Sequence, residues 1–198
     1  NPELCKRMGE AARKKVQNIT WANTLGALLN EPFEVKTETP KKKITVVTTY
    51  PIYPPRGGGQ NRIFYLYKEL AKSMLVEIIC LAHEHEEYKK SEIAPNLFEV
   101  RVPKSKNHAE KEWRIEEKAG IPVTDIAMLY LYNETPLFVN EVKASSSDAQ
   151  VVVLSHPYLY NLIQEHIDKP IIHESHNVEY NLKKQMLENT SHNQELLK

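Results

Sequence analysis

Lys43-Ile44-Thr45-Val46-Val47-Thr48-Thr49-Tyr50-Pro51-Ile52-Tyr53-Pro54-Pro55-Arg56-Gly57-Gly58-Gly59-Gln60-Asn61 passes from an apolar, β-branched run, through a proline-rich loop, into three consecutive glycines. Directly after it, RIFYLYKELAKSM (62–74) has the composition of a helix. The chain holds six glycines, and half of them lie at this one junction. Residues 44–49 lack the polar alternation of a half-solvated strand, so they predict a strand covered on both faces. A helix is expected over 60–74.

Downstream the same alternation repeats. LVEIICLA (75–82) predicts a second buried strand, and LFEVRV (97–102) a shorter third. Residues 107–146 read as mostly helical, with breaks at Gly120-Ile121-Pro122 and Asn133-Glu134-Thr135-Pro136. A strand over 150–155, a helix over 157–166, a short strand over 170–174 and a helix over 177–188 complete the pattern. Strands alternating with helices specify an α/β fold: a Rossmann-like, doubly wound parallel sheet with helices on both faces. In such sheets ligands bind outside the carboxyl ends of the strands. The glycine loop and the stretch Ser175-His176-Asn177-Val178-Glu179 both fall at those ends.

Upstream, residues 1–31 read as a helical arm. Pro2 suits a first turn, Leu4, Met8, Ala11, Ala12 and Val16 recur at helical spacing, and Thr20 can cap a second helix over 21–29. Residues 32–42 are polar and proline-punctuated, a linker. The remaining 43–198 form the sheet domain. The chain does not begin with Met and reads as a piece of something longer.

Composition narrows the class. Lys+Arg and Asp+Glu balance at 26 each across 198 residues, which leaves no basic footprint for nucleic acid. Cys5 and Cys80 lie in different segments and imply no disulfide framework, so a cytoplasmic setting is the expectation. No apolar run reaches membrane-spanning length, no secretory pattern opens the chain, and nothing in the sequence supports membrane contact. The three glycosylation tripeptides, at Asn18, Asn133 and Asn189, read as chance matches.

Consecutive glycines let backbone approach a ligand closely, and the helix beyond presents free N–H groups and a positive dipole end to an anion; the competing reading is a plain surface loop. The pattern is neither the dinucleotide G-x-G-x-x-G, because Asn61 and Arg62 hold the later positions, nor a Walker loop. Glu84, just past the second strand, could stand for a dehydrogenase's ribose-binding acid, but without the fingerprint. His173 and His176 sit at a strand exit where imidazoles can hydrogen-bond or shuttle protons. As metal ligands they would need help from His83-Glu84-His85-Glu86-Glu87, which reads better as a solvated loop, and no metal is expected. His156 reads as a structural helix-entry residue, and neither cysteine has a nucleophile's surroundings.

With these residues in view, the chain resembles the N-terminal domain of a GT-B-fold glycosyltransferase of family 4, the glycogen-synthase-like, retaining type. Three stretches carry the resemblance: TTYPIYPPRGGGQNRIFYLYKELAKS, DAQVVVLSHPYLYNLI, and PIIHESHNVEYNLKKQML, the last similar to the family's His-Asn-x-Glu element. The resemblance covers about residues 43–188. NPELCKRMGEAARKKVQNITWANTLGALL is similar to the closing helices of such an enzyme's C-terminal domain. The resemblance implies the end of one transferase unit, a linker, and the start of another. It implies transfer of a sugar from a nucleotide-sugar donor to a glycan, lipid or small-molecule acceptor with retention, without a cofactor. His176 would contact the transferred sugar with Glu179 in support, and Gly57, Gly58, Gly59 and Gln60 would form the loop near the donor diphosphate. Ser73-Met74 replaces the family's Gly-His. The donor-binding C-terminal domain of the same GT-B unit would follow Lys198, so this chain alone is expected to lack transferase activity. The rival readings are a non-catalytic Rossmann-like binding module and a dinucleotide-dependent enzyme.

Overall fold

The computed structural model describes residues 2–16 and 42–175, together with Asn181, Lys184 and Gln185. The chain divides into two compact units, Asn1–Pro40 and Lys41–Lys198. In the first, helix α1 covers Pro2–Val16. The expected second arm helix, the linker up to its last residue, and most of the helix expected over 177–188 lie outside the described residues; Asn181, Lys184 and Gln185 are helical.

The second unit is an α/β domain. Its elements are β1 (Lys43–Thr48), α2 (Gly58–Leu70), β2 (Leu75–Ala82), β3 (Lys89–Ala94), β4 (Leu97–Pro103), α3 (Lys106–Ala119), α4 (Thr124–Leu131), α5 (Pro136–Ser147), β5 (Val151–Leu154), α6 (Tyr160–His166) and β6 (Ile171–His173). One-turn 3-10 segments precede α5 and α6. The six strands form one sheet in the order β3-β4-β2-β1-β5-β6. All neighbours are parallel except β3 and β4. The five parallel strands run third, second, first, fourth, fifth, which is the doubly wound order, with its switch point between β1 and β5.

Strand alternation sends successive side chains to opposite faces. Ile44 and Val46 of β1, Val76 and Ile78 of β2 and Leu97 of β4 meet Ile63, Phe64 and Tyr67 of α2 on one face. Val47, Ile79, Leu81, Val100 and Val102 meet Met128, Phe138, Val142, Leu162 and Ile163 from α4, α5 and α6 on the other. Helices therefore cover both faces, as the patterning predicts. Ser105 caps α3 by accepting from the His108 N–H at 3.0 Å, and Gly120 ends it in the left-handed region at φ 66°, where a Cβ would be strained.

The fold class holds, and three details add to the sequence reading or differ from it. The sheet is not wholly parallel: the sequence reading leaves 88–96 without an element, yet β3 pairs antiparallel with β4 at the sheet edge. Its sequence, KKSEIA, is largely exposed and charged at its start, the composition of an edge strand rather than a buried one. The helix expected to reach Met74 ends at Leu70, because Ala71 to Ser73 turn toward β2. The helix expected over 157–166 begins as a 3-10 turn, and only Tyr160–His166 is α-helical.

Candidate functional site

The loop between β1 and α2 is built from buried charge. Glu99 of β4 has no exposed surface. It faces the α2 side like Leu97, two residues earlier. Its Oε1 accepts the Ile52 and Tyr53 N–H groups at 2.6 and 3.0 Å, and its Oε2 accepts from Arg101 Nε at 2.7 Å. Arg101 in turn donates to the Tyr53 carbonyl. Ile52, wholly buried, pins the loop into the α2-side core.

The glycines follow. Gly57 precedes α2 with extended backbone (φ −107°, ψ 168°). Gln60 Oε1 accepts from the Arg56 and Gly57 N–H groups at 2.9 and 3.0 Å, and its Nε2 donates to the Pro51 carbonyl at 2.8 Å. Gln60 thus holds the loop's shape with its own side chain. Neither Gly57 nor Gly58 has a positive φ, and a Cβ on Gly58 would meet nothing within 4 Å. Neither backbone conformation nor packing among the described residues demands glycine there.

The glycine-loop helix also reaches the exit of β6. Tyr67 Oη donates to Glu174 Oε2 at 2.7 Å, Arg62 Nε contacts Glu174 Oε1 at 3.3 Å, and Arg62 donates to the Ser175 carbonyl at 3.3 Å. Burial, then the hydrogen bond to the Glu174 carboxylate, pushes the Tyr67 phenol far above its usual range. The helix that follows the glycines is thereby tied to Glu174 and Ser175 at the exit of β6. His176 and Glu179, expected as the reactive pair, lie outside the described residues.

At the switch point the Tyr50 and His156 rings stand 5.3 Å apart, joining the exits of β1 and β5. Beside them the hydroxyls of Thr49 and Ser155, each residue 1 % exposed, have no hydrogen-bond partner among the described residues. Buried polar atoms in native proteins are nearly always satisfied, and this pair lies at the switch point, where doubly wound sheets in general take their ligands.

The histidines after β2 are not part of this site. Order β2-β1-β5-β6 puts two strands between the His83–Glu87 turn and His173, a separation of roughly 14 Å at about 4.8 Å per strand. His83 and His85 instead face each other, ring centres 5.1 Å apart, and Glu84 lies 3.6 Å from His85. Among the described residues no three His, Cys, Asp or Glu side chains gather to hold a metal ion, and no helix is long and apolar enough to cross a membrane. Cys80 is buried, and that burial raises its thiol pKa well above the usual value.

Glu99, Arg101, Arg62 and Tyr67 escaped sequence reasoning. Glu99 left one signal: a carboxylate two residues before Arg101, on the same face of an otherwise apolar strand sequence.

No protein-family model matches the chain, and no curated protein matches it. Solved structures do resemble it. One is described as trehalose-6-phosphate from E. coli bound with UDP-2-fluoro glucose: 15% identity, TM-score 0.38, over 67% of this chain and 32% of that one. Another is a sucrose-phosphate synthase from Thermosynechococcus elongatus: 10% identity, TM-score 0.26, over 74% of this chain and 52% of that one. A second structure of that synthase gives 13% identity and a TM-score of 0.24, over 75% of this chain and 98% of the other. The chain thus spans about a third of the first and half of the second.

Proposed function

We propose that the domain over 43–198 is the acceptor-side half of a retaining glycosyltransferase of the glycogen-synthase-like type, which moves a sugar from a nucleotide sugar to an acceptor without a cofactor. The observation that carries the reading is the glycine junction. Gly57 and Gly58 open α2 at the carboxyl edge of the sheet, their Cβ positions are not crowded by the chain itself, and Arg62 and Tyr67 of the same helix hold the exit that leads to His176. Such a junction suits close approach of a diphosphate to backbone N–H groups at a helix start. In this reading His176 contacts the transferred sugar and Glu179 supports it. The leaving diphosphate is neutralised by a second domain that follows in the parent protein, so this chain alone is inactive. Residues 1–31 are the closing helices of a preceding transferase unit, 32–42 a linker, and the setting cytoplasmic.

The test is a calorimetric titration of UDP-, GDP- and ADP-glucose, with NAD as control. It uses this chain and a form of the parent extended by about 200 residues, one typical domain. Nucleotide-sugar binding by the longer form alone supports the proposal and names the base. NAD binding by the chain itself points to a dinucleotide enzyme, and silence in both to a non-catalytic module.

A further inference from the structure

A second concavity lies one strand over from the glycine junction. A groove of about 490 Å³ opens above the carboxyl ends of β2 and β4, with α3 as its wall. That is the size range of small-molecule sites. His83 and Glu84 enter it from the turn after β2, and Lys104 from the end of β4. Trp113 of α3 lines it while 59 % exposed, and its indole N–H has no hydrogen-bond partner among the described residues. An aromatic ring held this far in water beside a concave surface is a contact area waiting for an apolar face.

The rest of the lining says what kind of molecule that face belongs to. Glu112 and Lys104 cancel one another across 2.7 Å, and Thr124 donates to the same carboxylate at 2.5 Å, so this pair forms a neutral floor. Glu110 is paired with Arg114 at 2.5 Å. Two carboxylates, Glu84 and Glu116, then face one uncompensated ammonium, Lys106. That residual balance repels an anion, and so many polar groups exclude a purely apolar guest. Acceptors and donors spread around an exposed indole match a ring with hydroxyls on its rim and C–H bonds on its face.

We propose that this groove binds a neutral saccharide, with Trp113 against the apolar face of a sugar ring and Glu84, Glu116 and Lys106 hydrogen-bonding its hydroxyls. Glu116 uses one oxygen to accept the Val123 N–H at 3.1 Å, leaving the other for the ligand. The claim does not need the transferase reading. Under that reading the groove seats an uncharged acceptor rather than a sugar phosphate.

The experiment follows the two indole N–H signals, Trp21 and Trp113, in ¹H–¹⁵N spectra of the full chain. The ligands titrated are maltotriose, cellotriose and chitotriose, and glucose against glucose 6-phosphate. A saturable shift of the Trp113 signal, assigned by its loss in Trp113→Ala, is expected with at least one trisaccharide, and glucose should bind more tightly than its phosphate. By calorimetry, Trp113→Ala should weaken binding at least tenfold. Glu84→Gln, which among the described residues gives up no contact but the 3.6 Å approach to His85, should weaken it severalfold with the spectrum otherwise unchanged. No saturable shift with any trisaccharide, tighter binding of the phosphate, or full affinity in Trp113→Ala would each overturn the proposal. Saccharide binding without nucleotide-sugar binding in either form of the protein would keep the groove and remove the transferase.

Discussion

Glu99 shows how one residue can hold a loop in place. Its wholly buried carboxylate replaces water with two backbone N–H groups and a guanidinium. Truncation takes the acceptor from the Ile52 and Tyr53 amides and from Arg101 Nε, which leaves the guanidinium, among the described residues, only its bond to the Tyr53 carbonyl and a looser contact with Glu86. Glu99→Ala should therefore cost about 3–5 kcal/mol, the range for removing one partner of a buried ion pair. Glu99→Gln, which keeps an acceptor oxygen, should cost less. Urea unfolding of the three proteins checks the ranking, and a Glu99→Ala midpoint equal to wild type would sink it. Gly58 is the opposite case. Its Cβ position is empty and its backbone unstrained, so Gly58→Ala should leave stability unchanged or raise it by up to about 1 kcal/mol, the helix preference of Ala over Gly. On the proposed transferase reading, the same change should reduce sugar transfer by the parent protein at least tenfold, because the backbone there would approach a ligand. A thermal melt paired with an activity assay separates the two effects.

Between elements, two carboxylates bind helices to sheet. Glu77 of β2 accepts from Ser145 of α5 at 2.6 Å and contacts Lys43 of β1 at 3.0 Å and Lys90 of β3. Glu112 of α3 meets Lys104 after β4 and Thr124 of α4. Burial alone would raise both acids. Hydrogen bonds outweigh it, from Lys90, Ser145 and Lys43 for Glu77 and from His108, Lys104 and Thr124 for Glu112, and hold each near 2 against an ordinary 4.5. A folded-state pKa below the unfolded one stabilises the fold above the unfolded pKa, and that contribution is lost as protons bind the native state. Stability should therefore be level above about pH 5 and fall steadily from about 4.5 to 2. Glu77→Gln, less stable at neutral pH, should show a shallower fall over that window in chemical denaturation. An unchanged slope would show that Glu77 does not carry the acid sensitivity.

At the scale of the molecule, the β-branched runs at 44–49 and 75–82 announced buried parallel strands, since no solvated face could carry them, and their boundaries hold to within a residue. The breaks at Gly120 and Pro136 announced where helices stop and start, through left-handed backbone and proline at a first turn. The edge strand β3 was not legible, because a charged six-residue segment has no hydrophobic period and becomes a strand only when β4 offers it hydrogen bonds. The candidate site was half legible in the same way. Three glycines in a row stand out in a chain that has six, whereas Arg62, Tyr67 and Glu174 look like ordinary helix and strand residues.

The sequence by itself determined the class of fold, the order of its parallel strands along the chain and the place of the glycine junction, because periodicity and backbone freedom are local properties. Only the tertiary structure decided which ends meet. It separated the His83 turn from the β6 exit by two strands, brought α2 to Glu174 across 107 residues of chain at the Tyr67 contact, and set Trp113 beside a polar groove. Those pairings depend on the order in which strands lie in the sheet, and that order is settled by the packing of helices on its two faces, which no short window of sequence contains.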